Sequence, residues 1–377
     1  MASTRAAAGG TAAHRPAAHR PGVRGPAGPA RIAVVGAGAW GTTLAAIVAQ
    51  REPVTLLCHS PETAARIAET GRNERRLPGV ELPAGLRATA EPAALAAATD
   101  LVIFAVPSAH LRDTVAAIAP FVPAPADLLS VVKGMERGSH RRMSDVIAEA
   151  GGFATPRIAA LSGPNLALEI ARGLPASAVV AAEDLALARR IQGRLGRRRF
   201  RLYVNRDLLG VELCGALKNV IAIAAGAAEE LGFGDNGKAG LMTRGLAEMT
   251  RLGIAAGANP LTFAGLAGIG DVIATCGSPL SRNHRLGVEL ARGRSWADIE
   301  ATLPGVAEGA YTVDAALALA GELGVEMPIA REVHRALFEG RSVKRCLVEL
   351  LSRESKDELA DFDRWAASLR TDAPAGN

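Results

Sequence analysis

Residues 215–226 read GALKNVIAIAAG and place one lysine inside a run of small and aliphatic residues. From Leu213 to Ala228, Lys218 is the only charged residue. The segment reads as a helix apolar on nearly every side, and such helices are usually buried. A buried ammonium is costly unless a partner compensates it or it gives up its proton. The bland explanation is a long stem that carries the amine to the surface. The chemical one is an amine that moves a proton and faces developing negative charge.

A second stretch favours chemistry. GAGAWG supplies Gly36, Gly38 and Gly41 in the G-x-G-x-x-G spacing, directly after the β-branched run RIAVV. The pattern alone is weak, and a glycine-rich structural turn produces it too. Here it follows a strand, opens a helix and begins a βαβ unit. Gly36 allows the tight turn, Gly38 lets a pyrophosphate approach the backbone, and Gly41 lets helix and strand pack closely. The helix start then offers free N–H groups to the phosphates. NAD sites usually place an acid after the second strand, bonded to the ribose 2′-hydroxyl. This chain reads Cys58-His59-Ser60 there, with Arg66 on the next helix. No carboxylate repels a 2′-phosphate, so NADP is accepted and NADPH is favoured over NADH. His59 is otherwise a surface loop histidine.

Three more segments carry polar groups at element ends. KGMERG puts Lys133 after an apolar strand, and SGPNLALEIARG follows a strand with a tight turn and a helix starting near Asn165. Carboxyl ends of parallel strands are where ligands sit in open α/β sheets. GDVIATCGSPLSRNHRLG packs Asp271, Ser281, Arg282 and Asn283 into a turn-rich stretch. Arginine suits bidentate phosphate contacts, and Asn and Ser add neutral donors. Each segment taken singly reads equally well as a solvated turn.

The elements that must position these groups form two sets. Strand-like runs lie at 31–35, 54–58, 100–107, 127–134, 157–164, 177–182 and 199–204, with helical segments between most of them. Apolar strands alternating with helices predict a mostly parallel sheet covered on both faces. After about residue 205 the strands stop and helical Ala/Leu/Gly segments continue to about 360. The expected fold is an α/β Rossmann-like domain at 31–204 followed by an all-α substrate and catalytic domain at 205–360. Residues 1–30 read as a disordered Ala/Pro/Arg-rich tail and 361–377 as a C-terminal tail.

Composition narrows the function. The 377 residues are 49% hydrophobic and only 3% aromatic, with a formal net charge of +5. Residues 1–31 hold five arginines and no acid, so the rest of the chain is formally neutral. The basicity belongs to the tail, and a nucleic-acid partner is not expected. No stretch of about 18 uninterrupted apolar residues suggests a membrane span. The four cysteines are far apart, which argues against a metal site or a disulfide framework and fits a cytoplasmic protein.

Taken in order, GAGAWGTTLA, VVKGMERG, LSGPNLALEIARG, GALKNVIAIAAG, KAGLMTRGLAEMTRLG and GIGDVIATCGSPLSRN resemble the bacterial NAD(P)-dependent glycerol-3-phosphate dehydrogenases over roughly residues 31–355. The resemblance implies that Lys218 transfers the proton and that Lys133 contacts both cofactor and substrate. It implies substrate contacts from Gly163, Asn165, Asp271, Ser281, Arg282 and Asn283. Cofactor contacts follow for Gly36, Gly38, Ala39, Trp40, Gly41, His59, Ala167, Arg282, Val306 and Glu308. Two departures bear on fine geometry: Ala39 stands where the family often has Ser, and Asn165-Leu166 where it usually has Ser or Thr followed by Phe.

The expected reaction interconverts sn-glycerol 3-phosphate and dihydroxyacetone phosphate, a small-molecule phosphate substrate, and supplies glycerol 3-phosphate for phospholipid synthesis. A homo-oligomer, a dimer, is expected. A β-hydroxyacid-type dehydrogenase of the same layout is the alternative enzyme, separated by its turnover of keto acids. A non-catalytic NADPH-binding regulatory protein is the alternative of another class, and it has no use for a buried amine.

Overall fold

The computed structural model describes residues 29–354 apart from Pro304, together with 357–358; residues 1–28 of the expected N-terminal tail and the expected C-terminal tail lie outside the described residues. Eight strands form one sheet: β1 (Ile32–Val35), β2 (Val54–Leu57), β3 (Leu86–Thr89), β4 (Leu101–Phe104), β5 (Asp127–Ser130), β6 (Ile158–Ser162), β7 (Ala176–Ala181) and β8 (Phe200–Asn205). Their spatial order is β3-β2-β1-β4-β5-β6-β7-β8. All neighbours are parallel except β6 and β7, so β7 and β8 run against the rest. Between β6 and β7 lies only one short helix, Ala167–Ala171.

The central strands IAVV, VTLL and LVIF are buried throughout. Successive side chains leave opposite faces. Ile32 and Val34 therefore join one core cluster while Ala33 and Val35 join another on the far side. β3 was not legible in the sequence. Its LRAT is only partly buried and pairs on one side alone, so it carries no apolar run.

Beyond Asn205 every regular element among the described residues is helical. The Leu208–Glu230 helix is the axis of this half and packs against the Gly234–Ala255, Asp271–Gly277, Arg282–Ala291 and Glu308–Glu322 helices. It is long and apolar enough to cross a membrane, but its apolar stretch is almost wholly buried inside the fold, which makes it a core helix. Pro260–Gly277 is also long and apolar, half of it is buried, and it is a series of short helical segments.

Glycines set how closely the axis helix is approached. A Cβ on Gly226 would stand 2.0 Å from the His284 carbonyl oxygen, and one on Gly287 would stand 1.9 Å from that of Ile223. Two polar anchors tie the axis helix to its surroundings. Glu212 accepts from Ser144 N at 2.9 Å and Ser144 Oγ at 2.6 Å, at the start of the Met143–Gly151 helix. Asp207 caps the axis helix at Gly210 N and accepts from Thr262 Oγ1 at 2.7 Å.

Candidate active site

The glycine turn has the geometry that its spacing implies. Gly36 has φ +110°, and a Cβ there would meet the Ala105 carbonyl oxygen at 2.7 Å. A Cβ on Gly41 would stand 2.0 Å from the Gly36 carbonyl oxygen. Gly38 faces open space, with nothing within 4 Å of a Cβ position. The Ala39–Ala49 helix that follows has no side-chain cap and no acid in its first turn. Its free N–H groups and open approach fit the phosphates of a dinucleotide. Trp40 lies in that first turn, its ring edge-on to Phe200 at 6.0 Å between centroids. Ala167 reaches the same helix, its carbonyl accepting from Thr43 Oγ1 at 3.2 Å. His59 is exposed after β2.

The chemistry gathers at the carboxyl ends of β5 and β6, where the axis helix crosses them. Lys218 is 5% exposed, and its ammonium does not snorkel to the surface. Nζ donates to Asp271 Oδ1 at 2.9 Å and to Thr275 Oγ1 at 2.5 Å. Lys133 Nζ donates to the other oxygen, Asp271 Oδ2, at 2.5 Å and to the Gly163 carbonyl at 2.8 Å. One buried carboxylate thus holds two ammoniums. An ammonium has three N–H groups, so each lysine keeps one for a ligand. Burial alone would raise the Asp271 carboxyl, but Lys133 and Lys218 outweigh it and hold it below its ordinary value. Burial brings Lys133 down to about 8; the Asp271 carboxylate opposes that fall and the Lys218 charge adds to it.

A second chain of bonds holds this cluster from behind. Asn219 Nδ2 donates to the Gly215 carbonyl at 3.3 Å and the Lys133 carbonyl at 3.4 Å. Asn283 Nδ2 donates to Asn219 Oδ1 at 2.8 Å, and Gly309 N donates to Asn283 Oδ1 at 2.9 Å. Asn283 is therefore mostly engaged within the protein, with one amide N–H left over. Ser281 caps the Arg282–Ala291 helix by accepting from His284 N at 3.2 Å. Arg282 lies over Gly305, where a Cβ would stand 2.6 Å from Nη1, and its charge is felt by Glu308.

Glu308 ties the helical half to the segment after β4. Its carboxylate accepts from Ser108 N at 3.1 Å and from Ser108 Oγ, just beyond β4. Burial raises its carboxyl, and those hydrogen bonds oppose the rise. Val306 is half-buried in the same segment. Asn165 donates to the Ser177 carbonyl at 3.3 Å, and its buried Oδ1 has no protein partner.

Lys133, Gly163, Lys218 and Asp271 thus meet directly, with Asn283 behind them. Trp40 packs on Phe200, Ser281 bonds His284 N, and His59 is exposed after β2. Thr275 and Ser108 were missed in the sequence. Thr275 had a signal: it lies four positions after Asp271, on the same helix face. Ser108 had none, because its partner is 200 positions away.

The chain matches family models described as NAD-dependent glycerol-3-phosphate dehydrogenase N-terminus over residues 31–188 and C-terminus over residues 207–348. It is 46% identical over 329 residues to a glycerol-3-phosphate dehydrogenase [NAD(P)+] of Frankia casuarinae, spanning 87% of this chain and 98% of that one. It is 49% identical to the protein of the same name from a Parafrankia species, with the same coverage of both chains. The crystal structure of a glycerol-3-phosphate dehydrogenase from Coxiella burnetii superposes with a TM-score of 0.81 at 35% identity, covering 85% of this chain and 98% of that one.

Proposed function

Because the chain belongs to the NAD-dependent glycerol-3-phosphate dehydrogenase family, we propose that Lys218 is the proton donor and acceptor of its reaction, with Lys133 and Asp271 as partners. The enzyme interconverts sn-glycerol 3-phosphate and dihydroxyacetone phosphate with NAD or NADP, and a role in lipid metabolism follows from that product.

The observation that carries the assignment is the sharing of the Asp271 carboxylate by two ammoniums, each with an N–H to spare. A bound nicotinamide supplies the hydride for ketone reduction. As charge grows on the carbonyl oxygen, the free N–H of Lys218 protonates it and the Lys133 ammonium lowers its energy. Asp271 and Thr275 fix where Lys218 points, so little reorganisation accompanies the transfer. The cluster keeps an excess of one positive charge, which suits an anionic substrate. Arg282 and the remaining N–H of Asn283 hold the phosphate in this reading, and Gly163 and Asn165 border the substrate. Gly36–Gly41 would hold the phosphates of the dinucleotide, and the missing acid after β2 favours NADPH.

The test is NADPH oxidation by purified protein with dihydroxyacetone phosphate, compared between wild type, Lys218→Met and Lys133→Met. Lys218→Met should retain the cofactor, and both variants should lose turnover. Turnover of small keto acids in place of the phosphate substrate would overturn the phosphate assignments. We also propose a homodimer, supported by the exposed Leu261 and Ile273 in the apolar Pro260–Gly277 segment, and a cytoplasmic location. Light scattering tests the first and cell fractionation the second.

A further inference from the structure

Asn73 is a polar residue that the reaction does not use, yet it is only 4% exposed. It stands at the base of a pinned excursion between β2 and β3. Leu82 N donates to the Gly71 carbonyl at 2.9 Å, and Arg72 pairs with Glu81 at 2.6 Å. The Asn73 carbonyl accepts from Arg76 N and Leu77 N, and Leu77 is fully buried. The backbone at Asn73 is therefore held in place by its own loop.

Its side chain reaches into the glycine turn. Nδ2 donates to the Ala37 carbonyl at 3.0 Å and to Thr42 Oγ1 at 2.8 Å. A carbonyl only accepts, so the group facing Ala37 is the NH₂. Ala37 lies between Gly36 and Gly38, which have no side chains to stiffen the backbone on either side of it. In a trans peptide the C=O and the next N–H point opposite ways. Holding the Ala37 carbonyl towards Asn73 turns the Gly38 N–H away from it. Thr42, the second anchor, sits on the first turn of the helix, where Thr42 N donates to the Gly38 carbonyl at 2.9 Å.

We propose that Asn73 is a positioning residue for cofactor binding: by clamping the Ala37 carbonyl and Thr42 it presets the peptide plane and helix start that receive the dinucleotide pyrophosphate. It touches neither cofactor nor substrate. Its contribution is to remove alternative conformations of the turn before the ligand arrives, which raises affinity without adding a contact. This rests on the reading of Gly36–Gly41 as the phosphate site.

The experiment measures NADPH Kd by fluorescence, kcat, both KM values and apo melting temperature for Asn73→Ala, Asn73→Asp and Thr42→Val in the full chain. Losing the clamp should raise the NADPH Kd and KM about tenfold, the scale of one hydrogen bond. The value of kcat and the KM for dihydroxyacetone phosphate should stay within about twofold at saturating cofactor, since the lysine cluster is untouched. Asn73→Asp keeps the shape but removes the donors and adds a charge, so its Kd should rise further. Thr42→Val leaves the Ala37 clamp and should cost less than Asn73→Ala. A wild-type Kd in Asn73→Ala overturns the proposal, as does an equal fall in kcat and in both substrates' kcat/KM. If Asn73→Ala folds poorly, the NADPH-induced shift in melting temperature of Thr42→Val and Asn73→Asp decides, and equal shifts in both overturn it. Gly38→Leu separates the underlying reading. If that variant binds NADPH normally, the phosphate site is misassigned; if it does not bind while Asn73→Ala does, only the role of Asn73 fails.

Discussion

Lys218 meets Asp271 across 53 positions of sequence, Nζ to Oδ1 at 2.9 Å, and both side chains are almost wholly buried. The other oxygen of the same carboxylate holds Lys133. The pair is a support for two cations at once, and this sets what its removal does.

Asp271→Asn keeps the shape and deletes the charge. Breaking a buried ion pair by removing one partner costs about 3–5 kcal/mol. The melting temperature should fall clearly, and kcat should fall by more than about 100-fold because Lys218 loses the group that aims it. Thermal denaturation and steady-state kinetics on one preparation check both. A variant as stable and active as wild type would remove Asp271 from the account.

Lys133 gives a pH signature. Its pKa is down from the ordinary 10.5 to about 8. Between those values the unfolded chain holds a proton that the folded chain has released. Unfolding free energy therefore gains a rising component from about pH 8 to about 10.5. The proposed mechanism uses the charged form of Lys133 in reduction, so kcat/KM for dihydroxyacetone phosphate should decline above about pH 8. Urea titrations at several pH values should show the stability component in wild type and not in Lys133→Met. A rate profile flat to high pH would contradict the role of Lys133.

How much of this could be read in advance depends on the range of each interaction. The glycine turn was legible because its spacing, its strand and its helix are contiguous, and Gly36 and Gly41 show the close approaches it requires. Lys218 was conspicuous because the run around it is apolar. What compensates it was not legible: Asp271 stood in the sequence as part of a substrate-binding cluster, and nothing local linked it to either lysine. Asn283 stood as a substrate donor, and its bonds to Asn219 and Gly309 arise only when three helices pack. β3 and the reversal at β7 left no periodic signal, since each depends on pairing with a distant strand.

The close helix contact in the second half should be intolerant of even one methyl group. A Cβ at Gly287 would stand 1.9 Å from the Ile223 carbonyl oxygen, which is backbone and moves only with its helix. Gly287→Ala should lower stability by about 1–3 kcal/mol or more, despite alanine's better helix propensity. Chemical denaturation measures it, and a stabilised variant would contradict the packing described.

Cofactor preference should follow the loop after β2. Cys58, His59 and Ser60 offer no carboxylate there, and Glu62 on the next helix is paired with Arg66 at 2.5 Å. His59→Asp should shift the ratio of kcat/KM values towards NADH by repelling the 2′-phosphate and bonding a ribose hydroxyl. Kinetics with both cofactors test this, and a wild type that strongly prefers NADH would refute the reading.

The most direct test of the central claim is Lys218→Met, which keeps the stem and removes the ammonium. NADPH affinity should change little, because the proposed phosphate site is Gly36–Gly41. Asp271 keeps Lys133 as a partner, so the fold should survive. Turnover should fall by about 10²–10⁴-fold from lost proton transfer alone, and further from lost charge stabilisation. The measurement is kcat for dihydroxyacetone phosphate reduction at saturating NADPH, with melting temperature and NADPH Kd on the same sample. A folded variant that binds NADPH and turns over at less than about a hundredth of wild type is the predicted result; one that keeps more than about a tenth would contradict the assignment of Lys218.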